Sequence, residues 1–237
     1  MNITIASMTL RGLFGRRRFL LLLPLPLLVI GLAVLCEALN AKPEDWGGPV
    51  LGGLGLGITL PLMALIIGTG VLGAEIDDGT ITHILAKPLP RSEIIISKLV
   101  VAILVTAVTV APALGIAGLI TGTASVGYGL AAGAAVGACA YSGLFVAMSM
   151  LTRRPVLLGL LYVLIWEGIL GNVLSGTQKL SISAYVAAVA DKIADSEILS
   201  GSLGVPLSLI MSAVFLVGGT LIAINRLRSF SVAGETS

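Results

Sequence analysis

Six apolar stretches dominate the chain, at residues 19–39, 50–74, 99–121, 128–151, 156–174 and 205–224. An α-helix rises ~1.5 Å per residue, so roughly 20 apolar residues match the hydrocarbon thickness of a bilayer. Inside that layer every backbone amide must find its partner within the protein, which leaves helices or a closed barrel. The ~10-residue alternation of a barrel strand is missing, so each stretch predicts a transmembrane helix. The rest of the composition fits that reading: only 11% of the 237 residues are charged, against ~25% in a soluble domain. Mean hydropathy is +1.08. A soluble globular fold and a disordered chain are thereby excluded. So is a nucleic-acid partner, since a net charge of +2 and 5% aromatics supply neither a phosphate-tracking surface nor a stacking platform.

The basic residues orient the spans. Arg11, Arg16, Arg17 and Arg18 precede the first stretch, and Lys87, Arg91 and Lys98 lie between the second and third. Arg153 and Arg154 lie between the fourth and fifth, and Arg226 and Arg228 follow the sixth. These are eleven of the 14 basic residues; Lys42, Lys179 and Lys192 fall on the other side. The positive-inside rule then predicts both termini in the cytoplasm of a multi-pass protein of the cell membrane. Arg16–Arg17–Arg18 and the Leu32–Cys36 segment superficially resemble export and lipoprotein signals. Their apolar run exceeds the ~7–15 residues of a signal core, so an uncleaved first helix is expected. Two cysteines at different depths, Cys36 and Cys139, make no disulfide framework and read as small packing residues.

The chain reads as one membrane domain, residues 1–237. Ile5, Met8 and Leu13, interleaved with Arg11 and the Arg16–Arg18 cluster, suit an amphipathic helix over residues 1–18 lying in the interface; a frayed basic tail is the alternative. Residues 175–204 carry Ile182, Tyr185, Val186, Val189 and Ile193 at helical spacing. They predict one or two short amphipathic helices capping the outer face. Gly129, Gly133 and Gly137 recur every fourth residue, a small-residue stripe that allows close helix approach, within one protomer or between two. Pro61 and Pro112 interrupt the second and third spans, where each frees a carbonyl and bends its helix.

Catalytic chemistry is missing. His83 is the single histidine, and no Cys/His cluster forms a zinc site, so no metal site is expected. None of the five lysines follows a glycine, so the Gly-Lys of a phosphate-binding loop is absent and the chain is expected not to be an enzyme. Glu167 is the one acid deep in a span, with Trp166 before it and Asn172 five residues on. Intramembrane acids mark transport paths or hold helices together, and both readings stand: Glu167, Trp166 and Asn172 beside a path, or a hydrogen-bonded Glu joining two helices.

The richest segment lies between the second and third spans. It runs Glu75-Ile76-Asp77-Asp78-Gly79-Thr80-Ile81-Thr82-His83-Ile84-Leu85-Ala86-Lys87-Pro88-Leu89-Pro90-Arg91-Ser92-Glu93, and on to Lys98. Seven charges of both signs are concentrated there. Gly79 re-aims the chain, a short helix follows with Ile81, Ile84 and Leu85 on one side, and Pro88 and Pro90 stop it. Ser92 is placed to cap the next helix. The product is a stiff cytoplasmic knob with a mixed apolar and charged face, suited to a groove in a soluble partner.

The pattern Glu-x-x-x-Gly-Thr-Ile, then Leu-x-x-Pro, then Arg-Ser-Glu-Ile with a Lys before a new span, resembles that of type-2 ABC export permeases. Six spans, the basic amphipathic N-terminus and the long last outer loop fit the same resemblance. It implies an all-α membrane fold with an elbow helix at 1–18, a cytoplasmic coupling helix within 75–91 and extracellular helices at 175–204. Glu75, Asp78, Gly79, Thr80, Ile84, Leu85, Pro88 and Arg91 would meet an ABC ATP-binding subunit, present in two copies. ATP and Mg would be bound by that partner, with no cofactor in this chain. A second permease, identical or homologous, would complete the path among membrane lipid. The strongly apolar spans suit an amphiphilic or hydrophobic cargo, such as a lipid or a drug-like compound. Two other functions remain open: a proton-coupled secondary carrier using Glu167, and a non-transport membrane assembly factor.

Overall fold

The computed structural model describes residues 3–15, 23–77, 90–170, 180–196, 198–199, 201 and 203–232. Among the described residues the regular structure is entirely helical. Helix α1 spans Ile3–Gly15 and α2 Pro24–Ala38. Helix α3, Pro43–Gly47, continues through a π-helical stretch, Gly48–Thr59, into α4, Leu60–Asp77. Then come α5 (Arg91–Leu119), α6 (Ala124–Leu151) and α7 (Pro155–Leu161), which continues as a second π-helical stretch, Tyr162–Leu170. Helices α8 (Ile182–Ala194) and α9 (Val205–Val232) complete the order.

Six spans are expected from the sequence. Among the described residues four helical runs are long and apolar enough to cross a membrane: Pro43–Leu72, Arg91–Leu119, Ala124–Leu151 and Val205–Leu227. Two more, Pro24–Ala38 and Pro155–Ile169, are apolar but shorter. Residues 16–22, before the first, and 171–179, after the second, lie outside the described residues. Several boundaries also shift outward. The second span begins at Pro43 rather than at 50, and the third at Arg91 rather than at 99. Hydropathy marks only where polar residues begin, whereas a helix continues until its hydrogen bonding is interrupted. Pro61 does not break its span. It sits at the second position of α4, where π-helical bonding (Leu60 N–H to the Gly55 carbonyl) gives way to α-helix. Pro112 lies within an uninterrupted α5.

Helix α6 is the centre of the bundle, with α4, α5, α8 and α9 all packed on it. In a membrane, lipid tails compete equally for apolar side chains, so close backbone approach takes over from hydrophobic burial as the source of cohesion. Glycine permits that approach here. A Cβ on Gly118 of α5 would lie 2.7 Å from the Gly127 Cα of α6, and one on Gly143 would lie 2.7 Å from the Leu216 Cα of α9. The α5–α6 turn is short because Gly122 adopts φ +81°, with the Gly122 N–H closing on the Leu119 carbonyl. Tyr141 and Phe145 stack inside the bundle, and Tyr162 meets Phe145 edge-on at 6.4 Å. Helix α1 packs on α4 and α5, while Met8, on its other side, is exposed.

The principal departure from the sequence reading concerns residues 175–204. Helix α8 lies along α6 rather than across the end of the bundle. A Cβ on Gly133 would meet the Ala190 Cβ at 2.9 Å and the Val186 carbonyl at 3.0 Å, and one on Gly137 would meet the Val186 Cγ2 at 2.8 Å. Gly129 faces Ala190 and Ala194 in the same way. The glycine stripe is therefore filled from within the protomer. Ile182, Tyr185, Val186, Ala188, Val189, Ala190 and Ala194 of α8 are all buried. After α8 the chain folds back so that Ile198 covers Gly47 and Leu199 approaches Gly52.

Candidate functional site: a split helical path and a buried lysine

Helices α7 and α8 together follow α6 from one end to the other, in the opposite direction. Tyr162 contacts Phe145, Val186 contacts Gly137, and Ala194 contacts Gly129. The second π-helical stretch and α8 thus form two halves of one path, separated by residues 171–179, which lie outside the described residues. Gly137 is thirteen residues from the start of α6, or ~20 Å at ~1.5 Å per residue. The start of α8, one turn beyond Val186, is therefore deep within a layer ~30 Å thick.

A helix that begins at such depth presents N–H groups with no intrahelical acceptor, and water is not there to take them. Glu167 takes two of them. Its Oε1 accepts the Ile182 backbone N–H at 2.9 Å and its Oε2 the Ser183 N–H at 3.2 Å. The same carboxylate accepts the Tyr162 hydroxyl at 2.9 Å, the Ser183 hydroxyl at 2.6 Å, and the Ser181 hydroxyl. All five are donors, which suits a group that only accepts, and negative charge at a helix N-terminus is favourable. Ser181 occupies the N-cap position but makes no capping bond to its own helix, because its hydroxyl is turned to Glu167. The other end of α8 is held from α6, where the Ser125 hydroxyl donates to the Ala194 carbonyl at 2.7 Å. Both ends of this buried helix are therefore held by side chains of other elements. Of the two readings of Glu167, the geometry displays the second: a hydrogen-bonded acid joining two elements.

The buried hydroxyl of Tyr141 also lies close to this carboxylate. Trp166 Nε1 points to the Leu180 carbonyl at 3.4 Å and so adds a weak tie across the gap. Asn172 lies outside the described residues. The contributors that sequence reasoning missed are Tyr162, Ser181 and Ser183. The Ser-x-Ser pair just before an apolar helical periodicity was the available signal for a helix start, but it did not indicate which acid would cap it.

A second buried polar feature lies at the far end of α4 and α5. Lys98 is completely buried, and its Nζ donates to the Val71 carbonyl at 2.8 Å. The sequence placed Lys98 among the charges of the connecting loop; it lies instead two turns inside α5. Val71 is six residues before the end of α4 and Lys98 seven after the start of α5. The bond therefore ties the two stems ~10 Å from where they leave for the connection. Of the expected coupling residues, Glu75 is on the last turn of α4 and Arg91 is the first residue of α5, partly buried. Asp78, Gly79, Thr80, Ile84, Leu85 and Pro88 lie outside the described residues. Among the described residues no group of three or more His, Cys, Asp or Glu side chains is arranged to hold a metal.

A family model described as ABC-2 family transporter protein matches residues 35–228, most of the chain. No curated protein matches it.

Proposed function

Taking as premise that the chain belongs to the ABC-2 family of transporters and is a multi-pass membrane subunit of an ABC transporter, we propose that it is the permease of an exporter driven by a separate ATP-binding subunit. The observation that supports coupling most directly is the Lys98–Val71 tie. It makes one unit of the two stems flanking residues 78–89, so a push on that connection is passed to α4 and α5 together. In this reading the span count is six, with α2 and the α7–α8 path as the first and fifth. The termini are cytoplasmic, as the eleven basic residues at that end favour, and α1 acts as the elbow helix. Two ATP-binding subunits would engage the Glu75–Arg91 segment, and closing them would rock the bundle of a permease pair between inward-facing and outward-facing arrangements. The cargo is amphiphilic or hydrophobic, consistent with the scarcity of polar groups along the spans. A proton-coupled carrier would need Glu167 to exchange protons with its surroundings, yet five hydrogen bonds already commit that carboxylate to holding α8.

Co-expression with a cognate ATP-binding subunit tests the proposal. The two should copurify, and Glu75→Ala with Arg91→Ala should abolish the association while leaving the permease folded. Reconstituted transport by the chain alone, with no ATPase present, would overturn it.

A further inference from the structure

A groove of about 320 Å³ opens between α6, α7 and α9. Its walls include Leu144, Met148, Leu158, Phe215 and Ile222, with Thr152 at one end, and the lining is almost wholly apolar. Gly218 lines it without a side chain, and a Cβ there would meet nothing within 4 Å. A larger side chain at that position would occupy the space. Helices α6 and α9 run in the same direction here, since Gly143 meets Leu216 and the groove extends from there to Leu151 and Ile222. The groove therefore reaches the end of the bundle where α6 stops.

That end is cationic. Arg153 and Arg154 are exposed in the turn between Thr152 and α7, between two residues that line the groove. Arg226, one helical turn beyond Ile222, is exposed as well. An apolar slot flanked at its end by exposed arginines complements an acyl chain carrying an anionic headgroup, and arginine suits phosphate by its planar donor fork. Basic pockets between transmembrane helices at the cytoplasmic interface recognise such headgroups.

The geometry points to a binding site for an anionic phospholipid of the cytoplasmic leaflet, with one acyl chain in the Gly218 groove and its phosphate on Arg153 and Arg154. This rests on the orientation adopted above, but its test needs no ATP-binding subunit, so failure of one reading is distinguishable from failure of the other.

The experiment uses the full purified chain in micelles, titrated with phosphatidylglycerol or phosphatidylcholine and followed by native mass spectrometry. Phosphatidylglycerol should be retained preferentially. Replacing Arg153 and Arg154 together by Gln should weaken its binding about thirtyfold and remove the preference. Gly218→Leu should reduce retention of both lipids without loss of thermal stability, because the added side chain enters open space. A phosphatidylglycerol with a photoreactive acyl chain should label Met148 or Ile222 in the unsubstituted protein, a readout independent of how the variants fold. Equal binding of the two lipids, a preference that survives the double substitution, or labelling confined to other helices would each overturn the assignment. So would displacement of the lipid by a second copy of the chain, seen as a dimer that excludes it.

Discussion

Removing the carboxylate of Glu167 should release α8 from the bundle, and the structure sets the scale. In Glu167→Ala the N–H groups of Ile182 and Ser183 lose their acceptor at a depth where water does not replace it. The hydroxyls of Tyr162, Ser181 and Ser183 lose one as well. A buried donor left unsatisfied costs about 1–3 kcal/mol, and hydrogen bonds to a charged group are the stronger kind. The hydroxyls can turn to other acceptors, whereas the two backbone groups cannot. The expected loss is therefore about 3–5 kcal/mol, in the range found when one partner of a buried charged network is removed. Glu167→Gln keeps an oxygen for Ile182 and Tyr162 but turns an NH2 toward the Ser183 N–H, so about 1–2 kcal/mol should go. For a chain of this size the alanine variant should melt about 10 °C lower and the glutamine variant a few degrees lower. Thermal unfolding in micelles reads the stability. Release of the helix is read by maleimide labelling of Val186→Cys, at a position completely buried in the intact protein, with Cys36 and Cys139 first replaced. Labelling should be negligible with Glu167 present and rapid in the alanine variant. If alanine and glutamine variants melt together near the parent, or Val186→Cys stays protected in both, Glu167 is not what holds α8.

Three further expectations follow from the contacts. Gly133→Val places methyl groups where Ala190 and the Val186 carbonyl already sit; overpacking should cost about 1–3 kcal/mol and expose Val186→Cys to the same reagent. Lys98→Met keeps the volume but removes the bond to the Val71 carbonyl. The protein should remain monodisperse by size-exclusion chromatography while cargo no longer stimulates the partner's ATP turnover, and unchanged stimulation would remove the stem from the mechanism. Gly31→Ala meets nothing within 4 Å on a helix interior and should stabilise by about 0.5–1 kcal/mol in thermal unfolding.

The amino-acid sequence determined the class of this protein through quantities that need no neighbours. Apolar runs of fixed length specify helices because the bilayer has one thickness and leaves no other way to satisfy a backbone. The spacing of Gly129, Gly133 and Gly137 announced a close approach, since a repeat of four residues lies on one face of a helix whatever it meets. The segment around Glu75–Arg91 carried the family resemblance in its own order of residues. Lys98 and α8 were misplaced for a shared reason. A charged residue or a mildly amphipathic stretch looks solvent-facing when it is judged by its own polarity. Lys98 is buried because a carbonyl 27 residues earlier accepts its ammonium. Helix α8 starts deep in the bundle because an acid 15 residues before Ile182 accepts its first N–H. Periodicity and composition describe what a segment presents. Which partner meets it, and so whether a polar group can leave water, was decided only when the helices came together.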